Sequence, residues 1–253
     1  MVWRGENLNK SYCSRTGAFT SKCHTVLSGV SFHVGDKEFV GLAGESGSGK
    51  TTLARIALRL EPAESGKLCL AGKSYADYQD RREFYRNIQM MFQHSSEALN
   101  PRWQVEQVLE EPLRYLTELS PEKRRERIRE AMAAVSLPAS LLRVRPATLS
   151  GGQAQRVCLA RAIILQPNFI ILDEPTSSLD MVIQYQILQL LRKLHQEQGI
   201  SFLMISHDLG AIKQVADRIV FLHAGQIIEN VATRQLNQVK HPVAKSLADA
   251  ARL

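Results

Sequence analysis

The chain has 253 residues, of which 44% are hydrophobic, and it carries a formal net charge of +7 at pH 7. This apolar content is enough to bury a large core in one α/β domain or in two lobes. The sequence lacks an apolar run of roughly eighteen residues, which a membrane-spanning helix needs, and its first six residues lack the apolar core of a secretory signal. We therefore expect a cytoplasmic protein without a membrane span.

The first predicted element with clear chemistry is a glycine-rich loop between a strand and a helix. Residues 39–43 are apolar and predict a buried strand, and apolar residues recur at helical spacing from Leu53 to Leu60. Between them the pattern G-x-x-x-x-G-K-[ST] is formed by Gly44, Glu45, Ser46, Gly47, Ser48, Gly49, Lys50 and Thr51. In this pattern backbone N–H groups surround the phosphates of a nucleotide, the lysine neutralises their charge, and the threonine hydroxyl binds Mg²⁺. The helix dipole would also face the anion, so we predict that this loop binds ATP.

The densest run of basic residues, 123–127, falls on a predicted helix. Ser120 and Pro121 give this helix an N-cap and a first turn. Its buried stripe would consist of Ile128, Ala131, Met132 and Val135. We interpret the basic run as a solvated helical face rather than as a dedicated polyanion site.

Further along the chain, apolar runs alternate with helical patterns. The runs predict strands at residues 169–172, 200–205, 218–222 and 226–228, with a hairpin between the last two. The helical patterns lie at residues 183–194 and 209–216. This alternation predicts a largely parallel sheet, in which ligands bind beyond the carboxyl ends of the strands.

Polar residues follow two of these predicted strands. Asp173 and Glu174 end the first strand, and Ser206 and His207 end the second. Phosphoryl transfer needs a carboxylate for the metal shell and a group that orients the attacking water. We predict that Asp173 serves the metal and that Glu174 is the general base.

Together these motifs resemble an ABC transporter ATP-binding subunit. The matching residues, in chain order, are 44–51, Gln93, 149–153, Asp173, Glu174, 177–180 and His207. The run Leu149-Ser150-Gly151-Gly152-Gln153 is decisive, because other families with this phosphate loop lack it. Its serine hydroxyl and glycine N–H groups precede a predicted helix, and they form an anion site that can only serve the γ-phosphate of a partner's ATP.

The resemblance implies an α/β fold with a P-loop (RecA-like) core, an antiparallel β portion and an inserted helical subdomain. It implies a single ATP-binding domain over residues 1–253, with the helical subdomain at about residues 94–157. Two such subunits would enclose two ATP molecules head to tail, with Mg²⁺. The implied partners are a second ABC ATPase subunit, usually in a heterodimer, two integral membrane permeases and an external solute-binding protein, and no nucleic acid. The protein would then lie peripherally on the cytoplasmic face of the inner membrane.

The resemblance also implies roles for single residues. Tyr12 matches the aromatic residue that stacks on adenine. Gln93 matches the glutamine that contacts Mg²⁺, and His207 matches the histidine at the γ-phosphate. Asp180 matches the aspartate that communicates across the dimer. Ser178 stands where the family usually has alanine, and we expect this change to leave the site active.

A second group of motifs resembles the oligopeptide, dipeptide and nickel importers. These motifs lie at residues 100–102, 111–114, 155–161 and 241–247. Many peptide-importing members continue into a cysteine-bearing extension that this sequence lacks, so the chain is most similar to the second ATP-binding subunit of nickel importers. We therefore expect nickel or a metal chelate as the solute, with dipeptides or oligopeptides as the alternative. An exporter and a non-transport ATPase acting on nucleic acid are remoter alternatives.

The cysteines give a separate expectation. Cys13, Cys23, Cys69 and Cys158 lack C-x-x-C spacing, so we expect reduced thiols. Cys13 and Cys23, with the adjacent His24, also lack the tight spacing of a structural zinc site. The sequence leaves the role of these three residues open.

Overall fold

The structure is a computed structural model that describes residues 1–15, 21–93, 99–177 and 179–251. Its strands are β1 (Trp3–Arg15), β2 (Ser21–Val34), β3 (Phe39–Ala43), β4 (Ser65–Leu70), β5 (Lys73–Ser74), β6 (Ile88–Met91), β7 (Phe169–Asp173), β8 (Ser201–Ser206), β9 (Arg218–His223) and β10 (Gln226–Ala232). Its α-helices are α1 (Lys50–Ala57), α2 (Arg81–Asn87), α3 (Val105–Leu116), α4 (Pro121–Ala134), α5 (Gly151–Ile163), α6 (Met181–Gln198), α7 (Leu209–Val215) and α8 (Pro242–Ala250). Short 3-10 helices lie at Tyr75–Asp77, Ala139–Arg143, Pro146–Thr148 and Thr233–Gln238.

The chain forms two compact units. The first contains Met1–Asp77 and Ser201–Leu253, and the second contains Tyr78–Ile200. The subdomain predicted at about residues 94–157 falls within the second unit, but its first residues, 94–98, lie outside the described ranges. Its boundaries therefore stay a prediction.

The first unit holds a parallel arrangement around β3. This strand runs parallel to β8 and to β9, and Leu42 pairs with Ile205 on one side and with Val220 on the other. Every residue of β3 and β8 is buried. Strands covered on both faces have continuous apolar sequences, and for this reason the runs at 39–43 and 200–205 predict strands correctly.

The hairpin predicted near residues 218–228 is confirmed. β9 and β10 pair antiparallel, and His223 pairs with Gln226 across the turn. The two turn residues, Ala224 and Gly225, have φ of 45° and 74°. Two-residue turns with positive φ at both positions match the twist of the flanking strands.

The first unit also contains an antiparallel sheet with the order β2-β1-β4-β5. Cys13 and Cys23 are register partners on β1 and β2, with Cα atoms 4.0 Å apart, and they form a disulfide. The expectation of reduced thiols is therefore wrong for this pair, whereas Cys69 and Cys158 are not disulfide-bonded. A separation of ten residues suggests a loop in the sequence, whereas the chain forms a hairpin that brings the two cysteines together. Both sulfurs are engaged in the bond, so neither is available as a thiolate ligand for a metal.

The second unit contains the parallel pair β6 and β7, in which Met91 pairs with Leu172. Helices α3, α4 and α5 pack against one another. The helix predicted after Ser120 is confirmed: the Ser120 hydroxyl accepts a hydrogen bond from the Lys123 N–H, and Ile128 and Met132 are buried.

None of the helices in the described ranges combines the length and the apolar character needed to cross a bilayer.

Candidate functional site

The phosphate loop, residues 44–51, connects β3 to α1. Gly49 has φ of 107° and is the N-cap of α1. A Cβ at Gly49 would lie 2.7 Å from the Val26 carbonyl oxygen, and a Cβ at Gly44 would lie 2.2 Å from the Leu222 carbonyl oxygen. The loop can therefore take this path only with glycine at both positions.

Lys50 places a positive charge in this loop. Its Nζ donates hydrogen bonds of 2.8 Å to the carbonyl oxygens of Gly44 and Glu45, and the residue is only 8% exposed. The first N–H groups of a helix have no partner within the helix, and Gly49 has no side chain to cap them. The loop thus offers an ammonium group and helix N–H groups to an anion, with Thr51, an exposed residue, beside them.

His207 lies at the same edge of the first unit. It follows Ser206, which pairs in register with Ala43, the residue before the phosphate loop. The Ser206 hydroxyl accepts a hydrogen bond of 3.0 Å from the Asp208 N–H, and the Asp208 carboxylate caps α7 through the Ala211 N–H at 3.0 Å. These bonds fix the turn and leave the His207 imidazole exposed at the carboxyl end of β8.

Tyr12 is held beside α1 by its hydroxyl group. The hydroxyl donates to the Glu61 carboxylate and hydrogen-bonds Thr52 of α1. Partial burial and the bond to Glu61 raise the pKa of Tyr12, and the same bond lowers the pKa of Glu61. Tyr12 is 43% exposed, and the Lys10 ammonium lies 5.3 Å from the ring centroid. The ring therefore has exposed surface on which a base could stack.

Three residues with predicted roles in hydrolysis lie in the second unit, at the ends of β6 and β7: Gln93, Asp173 and Glu174. Because Met91 and Leu172 are the last register partners, Gln93 and Glu174 each lie two residues after this pair, at the same end of the two strands. Asp173 is 3% exposed. Glu174 has φ of 49°, and its carbonyl oxygen accepts from the Ser177 hydroxyl at 3.0 Å and from the Ser177 N–H at 3.3 Å. Residues other than glycine adopt positive φ at a cost, and such positions concentrate at functional sites.

The signature residues 149–153 end at the start of α5. The Ser150 hydroxyl accepts from the Gln153 N–H at 3.3 Å, and the Gln153 side-chain oxygen accepts from the Ser150 N–H at 3.0 Å. This is a capping box. Ser150 and Gly151 are exposed, and a Cβ at Gly151 would meet no atom of the described residues within 4 Å. Ser150 and Gly151 thus lie together at the surface, at the start of α5.

Two contacts connect α5, the helix that begins within the signature residues, to neighbouring segments of the second unit. The Gln155 amide donates to the carbonyl oxygen of Pro175, the residue after Glu174. Arg156 donates to Gln186 of α6 at 3.2 Å. At the start of α6, the Asp180 carboxylate accepts from the N–H groups of Val182 and Ile183 at 3.0 Å each, so it is an N-cap. Ser178 lies outside the described residues.

Sequence reasoning missed the residues that hold Tyr12. Glu61 lies 49 residues from Tyr12 in the chain, and no motif connects the two. The sequence shows only that Glu61 is a polar residue just after a predicted helix. This position does not indicate that Tyr12 is its hydrogen-bond partner.

The family model described as ABC transporter matches residues 27–177. The nickel import ATP-binding protein NikE of Brucella suis biovar 1 is 40% identical over 97% of this chain and 93% of that protein. The chain belongs to the ABC transporter family. A protein of the same name from Escherichia coli O157:H7 is 42% identical over 85% of this chain and 82% of that protein.

Solved structures of this family share the fold. The dimeric bacterial ABC transporter cassette MJ0796 has 30% identity and a TM-score of 0.78, and the match covers 92% of this chain and 99% of that one. The same cassette has been solved in a post-hydrolysis state bound to ADP and phosphate. The cbiO1 protein of Clostridium perfringens matches with a TM-score of 0.81 over 94% of this chain and 90% of that one; at 24% identity it supports the fold alone. The predicted fold class is confirmed, and the chain is an ATPase of the ABC type.

Proposed function

We propose that this ABC ATPase energises the import of nickel or of a metal chelate. The observation that carries the proposal is the similarity to nickel import ATP-binding proteins, which extends over 97% of the chain. The geometry of the first unit supports it, because Lys50 and the start of α1 are arranged to receive phosphate. The solute itself would contact other subunits, so the fold does not identify it.

The assembly is part of the proposal. We infer that the chain pairs with a second ABC ATPase subunit, usually a different chain, and that the pair works with two integral membrane permeases and an external solute-binding protein. The subunit would lie peripherally on the cytoplasmic face of the inner membrane. The exposed signature residues Ser150 and Gly151 support pairing, since they lie at the surface at the start of α5, where helix N–H groups can receive an anion held by another subunit.

Mg²⁺ fits the donor groups present. Thr51, Gln93 and Asp173 each carry a side-chain oxygen, and Mg²⁺ prefers oxygen ligands together with substrate phosphates. Asp173 is almost fully buried, which suits a carboxylate that serves a cation rather than one that only solvates a turn. When bound with ATP, the ion would neutralise charge on the phosphates.

The remaining residues have separable roles in hydrolysis. Residues 44–51 would bind the phosphates, and Tyr12 would stack on the adenine. Glu174 would orient the attacking water and accept its proton, while Lys50 and His207 would stabilise the charge that develops on the γ-phosphate. In the pair, Ser150, Gly151, Gly152, Gln153 and Asp180 would act on the ATP held by the other subunit.

Nickel uptake tests this function. The chain would be expressed with its candidate permeases, binding protein and second ATPase in cells deficient in nickel import, and uptake of radiolabelled nickel would be compared with that of the Lys50→Ala variant. We expect uptake that depends on Lys50. An assembled, ATP-hydrolysing complex that imports dipeptides and no nickel would contradict the proposed solute. Co-purification with nucleic acid and without permeases would contradict transport itself.

A further inference from the structure

The turn between β9 and β10 lies directly against the phosphate loop. The Gly225 N–H donates to the Ser48 carbonyl oxygen at 3.2 Å, and the Gly225 carbonyl oxygen accepts from the Ser28 N–H at 2.9 Å. The Leu222 carbonyl oxygen is the atom that would clash with a side chain at Gly44. We call residues 222–225 the β9–β10 turn. This turn contacts the phosphate loop at Ser48, through a hydrogen bond, and at Gly44, through close packing.

His223, in this turn, also contacts the side chain of Glu45 in the phosphate loop. Its Nδ1 lies 3.4 Å from Oε2 of Glu45, and the two side chains are 36% and 59% exposed. The imidazole of His241, the N-cap of α8, also faces His223, with ring centroids 6.3 Å apart. Glu229 holds this segment in place by accepting from the N–H groups of Lys240 and His241 at 2.7 and 2.8 Å.

The Glu45 carboxylate would weaken ATP binding unless it is kept away from the phosphates, and His223 is placed to do this. Glu45 places a carboxylate inside the loop that receives the most negatively charged part of ATP, one residue after Gly44. A carboxylate that approached the phosphates would repel them. The His223 imidazole, 3.4 Å from this carboxylate, lies on the side of the β9–β10 turn, and the contact keeps the carboxylate there.

We propose that His223 is a positioning residue for ATP binding, which holds the Glu45 carboxylate against the β9–β10 turn and away from the phosphates. The proposal rests on the proposed function, in which residues 44–51 bind ATP. It assigns His223 no contact with ATP, so its effect must pass through Glu45.

The expected effect is modest because both side chains are partly exposed. Exposed ion pairs have small interaction energies, which correspond to about a twofold to fivefold change in affinity. The loss of His223 should therefore raise the Kd for ATP by about twofold to fivefold. It should raise KM in the assembled transporter by a similar factor and leave kcat unchanged, because Glu174 and His207 are not disturbed.

A double-mutant cycle tests this coupling. Binding of a fluorescent ATP analogue to the purified full chain would be measured for the parental protein, His223→Gln, Glu45→Gln and the double variant. We expect the His223→Gln change to weaken binding in the parental background and to have no effect in the Glu45→Gln background. An unchanged Kd for His223→Gln, or an equal loss in both backgrounds, would overturn the proposal. So would a fall in kcat with an unchanged KM.

Two controls separate this result from other failures. His33→Gln changes an exposed histidine on β2 that pairs in register with Arg4, and it should bind ATP as the parental protein does. Lys50→Ala should lose binding. If Lys50→Ala binds ATP normally, the proposed function fails; if it loses binding while His223→Gln does not change the Kd, only the role of His223 fails.

Discussion

The two units hold their site residues by different kinds of contact. In the first unit, alongside local bonds such as that of Lys50 to Gly44, some contacts connect distant parts of the chain: Tyr12 bonds Glu61 across 49 residues, and Gly225 bonds Ser48. In the second unit the contacts are of shorter range: Ser150 with Gln153 and Glu174 with Ser177 are three residues apart, and Gln155 with Pro175 is 20 residues apart.

This difference predicts how each unit responds to substitution. A local cap forms together with its own helix, so its loss should disturb one helix end. A long-range bond depends on the fold of the whole unit, so changes in a hairpin or turn can reach the phosphate loop without touching it. The first unit should therefore show effects on ATP binding from distant positions, whereas the second should show confined effects.

The largest expected effect is confined to the second unit. Glu174→Gln removes the proposed general base with little change in shape, and we expect hydrolysis to fall by about 100-fold or more. The Kd for ATP should stay close to the parental value, because the phosphate loop belongs to the first unit. Phosphate release and ATP binding would be measured on the same preparation. Hydrolysis at the parental rate would show that Glu174 is not the base.

The next prediction concerns how much ATP binding stabilises the folded chain against unfolding. A ligand at about 100 times its Kd adds about 2.7 kcal/mol to the free energy of unfolding. We expect saturating ATP with Mg²⁺ to raise the urea midpoint of the parental chain and to leave that of Lys50→Ala unchanged. Chelation of Mg²⁺ should reduce the shift. An equal shift in both proteins would mean that ATP binds somewhere other than residues 44–51.

The disulfide tests whether the covalent link between β1 and β2 stabilises the first unit. Cys13 and Cys23 close a loop with a sequence separation of ten, for which chain entropy predicts about 2 to 3 kcal/mol of stabilisation. Unfolding with and without dithiothreitol would measure it, and reduction should lower the midpoint. In this step the two sulfurs gain two electrons and two protons while the reagent becomes a cyclic disulfide. The double variant Cys13→Ser, Cys23→Ser should not respond to the reagent; a parental midpoint that does not respond either would show that the bond contributes no stability.

These two kinds of contact also explain what the sequence could predict. The strands at 39–43 and 169–172 are continuous apolar runs, and the cap at Ser120 follows from spacing within a few residues. The pairing of Cys13 with Cys23, the bond from Tyr12 to Glu61 and the contact of His223 with Glu45 depend on sheet register and on turns far apart in the chain. Register is set by packing of the whole sheet, so no local pattern indicates these pairs.

The smallest expected effect separates the structural role of a cap from the proposed role of the signature. Ser120 and Ser150 are both N-caps whose hydroxyls accept from the N–H three residues later, at 3.4 and 3.3 Å. Replacing either serine with alanine should cost about 1 kcal/mol of stability, because each change leaves one helix N–H without its side-chain partner. Only Ser150→Ala should also slow hydrolysis by the assembled transporter, since Ser150 is proposed to reach the ATP of the other subunit. Unfolding midpoints and phosphate release would be measured for both variants. If the two lose stability and activity equally, Ser150 is a helix cap and nothing more, and the anion site at the start of α5 must depend on its backbone N–H groups alone.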